Sequence, residues 1–175
     1  KMKQIDFDHG TVTGNILGVA LPMLVAQILS LLYNIVDRIY IARIPLVGTT
    51  ALGAVGLCFP IIVIITAFSN LFGSGGAPLF SINRGKGNIK KAEAIMNTSF
   101  SMLCICGVTL MVIGMLFASP ILVLFGASEE GLSYAYPYMM IYLIGTVPSM
   151  IATGMNPFIN AQGYATSGML SVTIG

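Results

Sequence analysis

The sequence predicts an all-α, polytopic membrane bundle with four full transmembrane helices plus the start of a fifth. Three observations predict it. Hydrophobic residues make up 56% of the 175 and charged residues only 8%, against about 25% charged in a soluble domain. The apolar residues are gathered into long runs, such as residues 51–82, and roughly 20 helical residues cross a hydrocarbon core of about 30 Å. The runs are uniform, whereas a membrane β-strand alternates over about ten residues. Lipid satisfies no free backbone amide, which leaves the helix as the spanning form.

The first span covers residues 16–41. Lys1 and Lys3 precede it much as charges precede a signal peptide. The run is longer than an h-region of 7–15 residues, and no small-residue cleavage site follows, so it reads as a retained helix. Pro45 and Gly48 mark a turn. The second span, residues 51–82, exceeds one crossing and must tilt, bend or protrude. Its expected bend sites are Pro60, Gly73, Gly75, Gly76 and Pro78, where a backbone donor is missing or the helix is weakened.

A short basic loop, residues 83–91, leads to the third span, residues 94–118. The connector over residues 119–133 carries Glu129 and Glu130 and no basic residue, and its stretch 120–125 is expected along the interface. The fourth span covers residues 134–160, with Pro148 and Pro157 expected to interrupt it. A turn at Gln162-Gly163-Tyr164 leads to an incomplete fifth span, residues 169–175.

Lysine and arginine in short loops set orientation. Lys1, Lys3, Arg84, Lys86, Lys90 and Lys91 fall on one side, and only Arg38 and Arg43 on the other. The first side, with the N-terminus, is expected to face the cytoplasm, in a multi-pass protein of the cell membrane whose immediate partner is lipid.

Several functions are disfavoured. The net charge is +2 and no basic stripe carries interleaved aromatics, so nucleic acid is not an expected partner. Cys58, Cys104 and Cys106 lie in apolar runs and read as packing residues. His9 is the only histidine and has no nucleophile or metal partner near it in sequence. No catalytic triad, metal cluster or cofactor motif can be assembled, so the chain is not read as an enzyme and no cofactor is expected.

Polar residues inside spans carry the functional signal, because they are costly there. Gln27, Ser30, Asn34 and Asp37 are spaced 3, 4 and 3, which puts them on one face of the first helix. Asp37 is the one carboxylate in or beside a span. Such an acid usually faces the bundle interior and handles protons or ions; the alternative is a solvated position at the outer interface beside Arg38. The fourth span repeats the pattern with Ser149, Thr153, Asn156 and Asn160. Free carbonyls near prolines build ion and substrate sites in secondary transporters, and the alternative is hydrogen-bonded helix packing. The eleven methionines suit either an adaptable cavity or ordinary core filling.

Leu21-Pro22-Met23-Leu24 followed by Asp37 resembles the first helix of the multidrug and toxic compound extrusion (MATE) family. Residues 51–56 (ALGAVG) resemble the opening of its second helix. Gly85-Lys86-Gly87 with Lys91-Ala92-Glu93 resembles its first cytoplasmic loop, and residues 156–163 (NPFINAQG) resemble the end of its fourth helix. In this order and spacing the matches cover nearly the whole chain. The resemblance implies that residues 1–175 are part of a six-helix N-terminal lobe in a twelve-helix transporter working by alternating access. It implies antiport of amphipathic organic cations against an inward gradient of H+ or Na+, with the rest of the transporter as an expected partner. It implies coupling at Asp37, bending of the first helix at Pro22, and Asn156 near the carboxylate. The asparagine and aspartate usual on the family's fifth helix are expected beyond residue 175.

The expected coupling site is therefore Asp37 with Asn34 and Asn156, extended by Gln27, Ser30 and Asn160. Two other readings stay open. One is a lipid or lipid-linked oligosaccharide flippase of the same superfamily, which would want an arginine-rich cavity where only Arg38 and Arg43 are available. The other is a truncated membrane fragment that transports nothing.

Overall fold

A computed structural model describes residues 11–45 and 48–174. Lys1, Lys3 and His9 therefore lie outside the described residues. Seven helices follow one another: α1 (Val12–Ala42), α2 (Gly48–Gly85), α3 (Ile89–Leu116), α4 (Ala118–Leu124), α5 (Glu129–Ile144), α6 (Thr146–Ala161) and α7 (Ala165–Ile174). No strand occurs among the described residues. α1, α2 and α3 are each long and apolar enough to cross a membrane, and α5 with α6 forms one broken span bent by 55°. Three of the four expected crossings are thus present, and the fourth is present if the bent pair α5–α6 crosses as one span; each element is somewhat longer than its apolar run.

Local chemistry sets the ends. The Thr11 hydroxyl accepts the Gly14 amide at 3.3 Å and opens α1. The Asn88 side chain accepts the Lys91 amide at 3.2 Å and opens α3, directly after Gly87, whose φ of 74° closes the hairpin from α2. The Ser128 hydroxyl accepts the Gly131 amide at 3.1 Å, and Glu129 and Glu130 place negative charge at the positive end of α5.

The prolines act differently in the two spans. α2 is one continuous helix of 38 residues through Pro60 and Pro78. At 1.5 Å per residue it is about 57 Å long, so tilt or protruding ends must absorb the excess. The fourth span does break, but at Gly145, one turn ahead of Pro148. Pro148 has no amide for the Ile144 carbonyl and its ring crowds that carbonyl, so its effect falls four residues upstream. Pro157 sits inside α6, which runs on to Ala161.

The core lies among α2, α3, α5 and α6. The buried positions Ala135, Met139, Leu143, Thr146, Met150, Gly154 and Phe158 recur every three or four residues, straight through the bend. They meet the α2 stripe of Ala54, Cys58, Ile65, Ser69, Gly73, Ala77 and Phe80, and the α3 stripe of Ala92, Ser99, Leu103, Gly107 and Gly114. Small residues let the backbones close up: Gly73 lies on Gly154, Gly107 on Val147 and Gly114 on Leu143. The Cys58 thiol bridges helices, donating to the Ala54 and Ala135 carbonyls at 3.6 and 3.7 Å. Phe80 and Phe158 pack edge to face at 5.6 Å.

α1 stands apart. Ala26 is its one fully buried residue, and it packs along α7 and more lightly on α2. The antiparallel hairpins put the starts of α1 and α7 at one end of the bundle, and the end of α1 with the start of α5 at the other.

Candidate functional site

α1 turns one stripe inward. Asn15, Val19, Pro22, Ala26, Ser30 and Ile41 are its buried or half-buried positions. At 100° per residue they fall within an arc of about 100°. Asp37 lies mid-arc, whereas Asn34 and Gln27 fall about 20° and 40° past its edge. The four polar residues thus share a side of α1, with Asp37 and Ser30 on the arc of its half-buried positions and Gln27 furthest from it.

Asp37 is exposed and makes no hydrogen bond or ion pair among the described residues. In particular it does not pair with Arg38. Tyr138 of α5 is close enough to feel the Asp37 and Arg38 charges. Asn34 spends a side-chain donor on its own helix, bonding the Ser30 carbonyl at 2.8 Å. Pro22 lies inside the continuous α1 and leaves the Gly18 carbonyl without its helical donor. Asp37 and the Tyr138 phenol thus lie at the same end of the bundle, with a second phenol, Tyr33, on the same arc of α1.

The other polar face builds a different cluster. The Asn156 amide donates to the Gly168 carbonyl at 2.9 Å and the Ser171 hydroxyl at 3.1 Å, both on α7. Asn160 donates to the Asn156 side-chain oxygen at 2.9 Å. Ser171 returns a bond to the Gly168 carbonyl at 2.8 Å. Asn160 is 9% exposed, and its Oδ1 has no partner among the described residues. Ser149 and Thr153 are exposed, and Thr153 bonds back to the Ser149 carbonyl at 2.8 Å.

The structure does not bring Asp37 and Asn156 together. Tyr138 and Asn156 are 18 residues apart along α5 and α6, roughly 24 Å after allowing for the bend. The residues expected to form one site with Asp37, Asn34 and Asn156 lie towards two ends of the bundle, Asp37 near Tyr138 and Asn156 with Asn160 in a clamp on α7. The reason is topological: the polar face of α6 lies at the end where α7 begins, so its amides find α7.

Tyr138 and Ser171 were not among the expected site residues. Tyr138 sits in an aromatic run with Tyr134 and Tyr136, where spacing singles out none of them. Ser171 went unnoticed because it falls in an apolar run, on α7 (Ala165–Ile174). No group of three or more His, Cys, Asp or Glu suitable for a metal occurs among the described residues.

The inner clamp makes a stability prediction. Asn156→Ala removes both bonds to α7 and strands the Asn160 amide. It should cost about 1–2 kcal/mol, read as a lower melting temperature of the purified protein, with Ser149→Ala unchanged.

The fold and sequence have known relatives. The MatE family model matches residues 22–175. The chain is 25% identical over 170 residues to an FAD transporter of Shewanella oneidensis, covering 95% of this chain and 37% of that protein. It is 25% identical to the multidrug export protein MepA of Staphylococcus haemolyticus, covering 95% of this chain and 36% of the relative. Among solved structures, a MATE transporter in complex with MaD5 superposes with a TM-score of 0.87 at 23% identity, over 98% of this chain and 39% of that one. An outward-facing multidrug resistance MATE family transporter of the MOP superfamily gives 0.85 at 24% identity, over 94% and 36%. The chain thus spans little more than a third of the curated relatives' length. With the family match running from the Pro22 turn of α1 through α7, this multi-pass membrane chain belongs to the MatE family.

Proposed function

We propose that the chain forms part of the first lobe of a secondary exporter, which exchanges an inward-moving H+ or Na+ for an amphipathic organic cation by alternating access. The observation that carries this reading is Asp37, the one carboxylate on the inward arc of an apolar helix. Glu93 lies off the buried stripe of α3, and Glu129 and Glu130 occupy the first turn of α5. An ion that loads Asp37 changes the charge facing α5, and a ligand shifts a conformational equilibrium by its differential affinity for the two states. The multidrug export relatives support an organic-cation substrate. The remaining helices of the transporter complete the cavity, in a cell membrane with the N-terminus cytoplasmic. Asn34, Ser30 and Gln27 line the approach to Asp37, and Asn156 and Asn160 tie α6 to the start of α7.

A second reading rests on the FAD transporter: the exported solute is a flavin dinucleotide. The two are separated in proteoliposomes containing the complete protein, with an imposed inward H+ or Na+ gradient. Gradient-driven movement of a cationic dye supports the first reading. Movement of FAD alone supports the second, and movement indifferent to the gradient overturns ion coupling. In the same assay Pro22→Ala restores a donor for the Gly18 carbonyl. A helix-interior proline costs about 3 kcal/mol, so the substitution favours the straight α1 and should slow exchange about tenfold or more with dye binding unchanged. Unaltered exchange would remove Pro22 from the mechanism.

A further inference from the structure

A groove of about 480 Å³ runs between α2 and α3, at the end of the bundle that carries the basic loop. Its walls are apolar, with Leu71, Leu79 and Ala94 among them, and Gly75 leaves them open. Lys91 stands in its mouth. Arg84, Lys86 and Lys90 are nearby in sequence, and none of the four forms an ion pair among the described residues. The nearest acid in sequence, Glu93, is two residues on and about 200° round α3.

Deeper in the groove, about 12 Å along α3 from Lys91, lies Ser99. It is 7% exposed and has no hydrogen bond among the described residues. Thr98 beside it is satisfied by its own helix, donating to the Ala94 carbonyl at 2.8 Å. Ser99 Oγ instead faces Gly76, where a Cβ would lie 2.5 Å from it. The Ser99 hydroxyl lines the groove without being enclosed, so it is free to donate to a ligand there.

We propose that this groove binds an anionic phospholipid. The phosphate sits at Lys91, an acyl-ester carbonyl accepts from Ser99, and an acyl chain lies along the apolar walls between α2 and α3. Basic pockets between membrane helices take such headgroups, and a cationic drug is disfavoured by the same lysine. The inference rests on α2 and α3 spanning a membrane, not on the transport reading.

The test is native mass spectrometry of the complete protein, titrated with phosphatidylglycerol and phosphatidylcholine of identical acyl chains. One lysine near an anionic headgroup supports a preference of about fivefold for phosphatidylglycerol. Lys91→Gln should bring the ratio close to one, and Lys91→Arg should keep it. Ser99→Ala should weaken both lipids equally, because both carry the ester. Equal retention of the two lipids overturns the proposal, as does a ratio untouched by Lys91→Gln. Displacement of phosphatidylglycerol by millimolar inorganic phosphate also overturns it, marking a free-anion site. Retention of neither lipid overturns it as well.

Discussion

Asp37→Asn is expected to lower gradient-driven export about a hundredfold while leaving the protein folded. Asparagine keeps the size and most of the hydrogen-bonding shape of aspartate but carries neither the charge nor the exchangeable proton. A membrane-embedded aspartate charge is worth about 2.5–3.5 kcal/mol, and each 1.4 kcal/mol is tenfold in an equilibrium. Neutralising it removes a term of that size from the difference between loaded and unloaded states. The fold should not notice. Asp37 is exposed and holds no hydrogen bond or ion pair among the described residues, and substitutions away from such features stay within about 0.5 kcal/mol. The measurement is ion-driven efflux at matched expression, with melting temperature as the folding control. Undiminished efflux would show that coupling lies elsewhere in the transporter.

Gly73→Ala is expected to give the largest loss of stability, about 3 kcal/mol, at the upper end for overpacking. An added Cβ would fall inside the contact radius of the Gly154 carbonyl oxygen and press on that residue's Cα and carbonyl carbon. All three are backbone atoms, so no rotamer change relieves the clash. α2 and α6 would have to part, loosening Ala77 and the Phe80–Phe158 pair along the same seam. Gly53→Ala provides the contrast. Nothing lies within 4 Å of its added carbon, and in mid-helix alanine is better than glycine by roughly 0.5–1 kcal/mol. Thermal melting in detergent compares them, and equal melting temperatures would mean that the α2–α6 seam is not rigid.

The contrast between these glycines marks where sequence reading stops. Hydropathy located the spans because lipid sets both their length and their composition. It said nothing of which glycine meets a backbone, since Gly53 and Gly73 look alike until α6 is placed. The break at Gly145 was misplaced because a proline frees the carbonyl four residues before it, so the visible residue and its effect are a turn apart. That Asp37 shares a side of α1 with Ser30, Asn34 and Gln27 was legible in their 3-4-3 spacing. The partner of Asn156 was not, because its acceptors are a glycine carbonyl and a serine on α7, groups that carry no pattern of their own.

The light seating of α1 has a mechanical consequence. α2, α3, α5 and α6 share an interlocked interior that runs unbroken through the bend, whereas α1 is held by one enclosed alanine and a half-buried fringe. Force applied to the assembly is spent first on its weakest joint, and local opening free energies follow contact density. Among the described residues, α1 is therefore the element whose displacement disturbs the least packed interior.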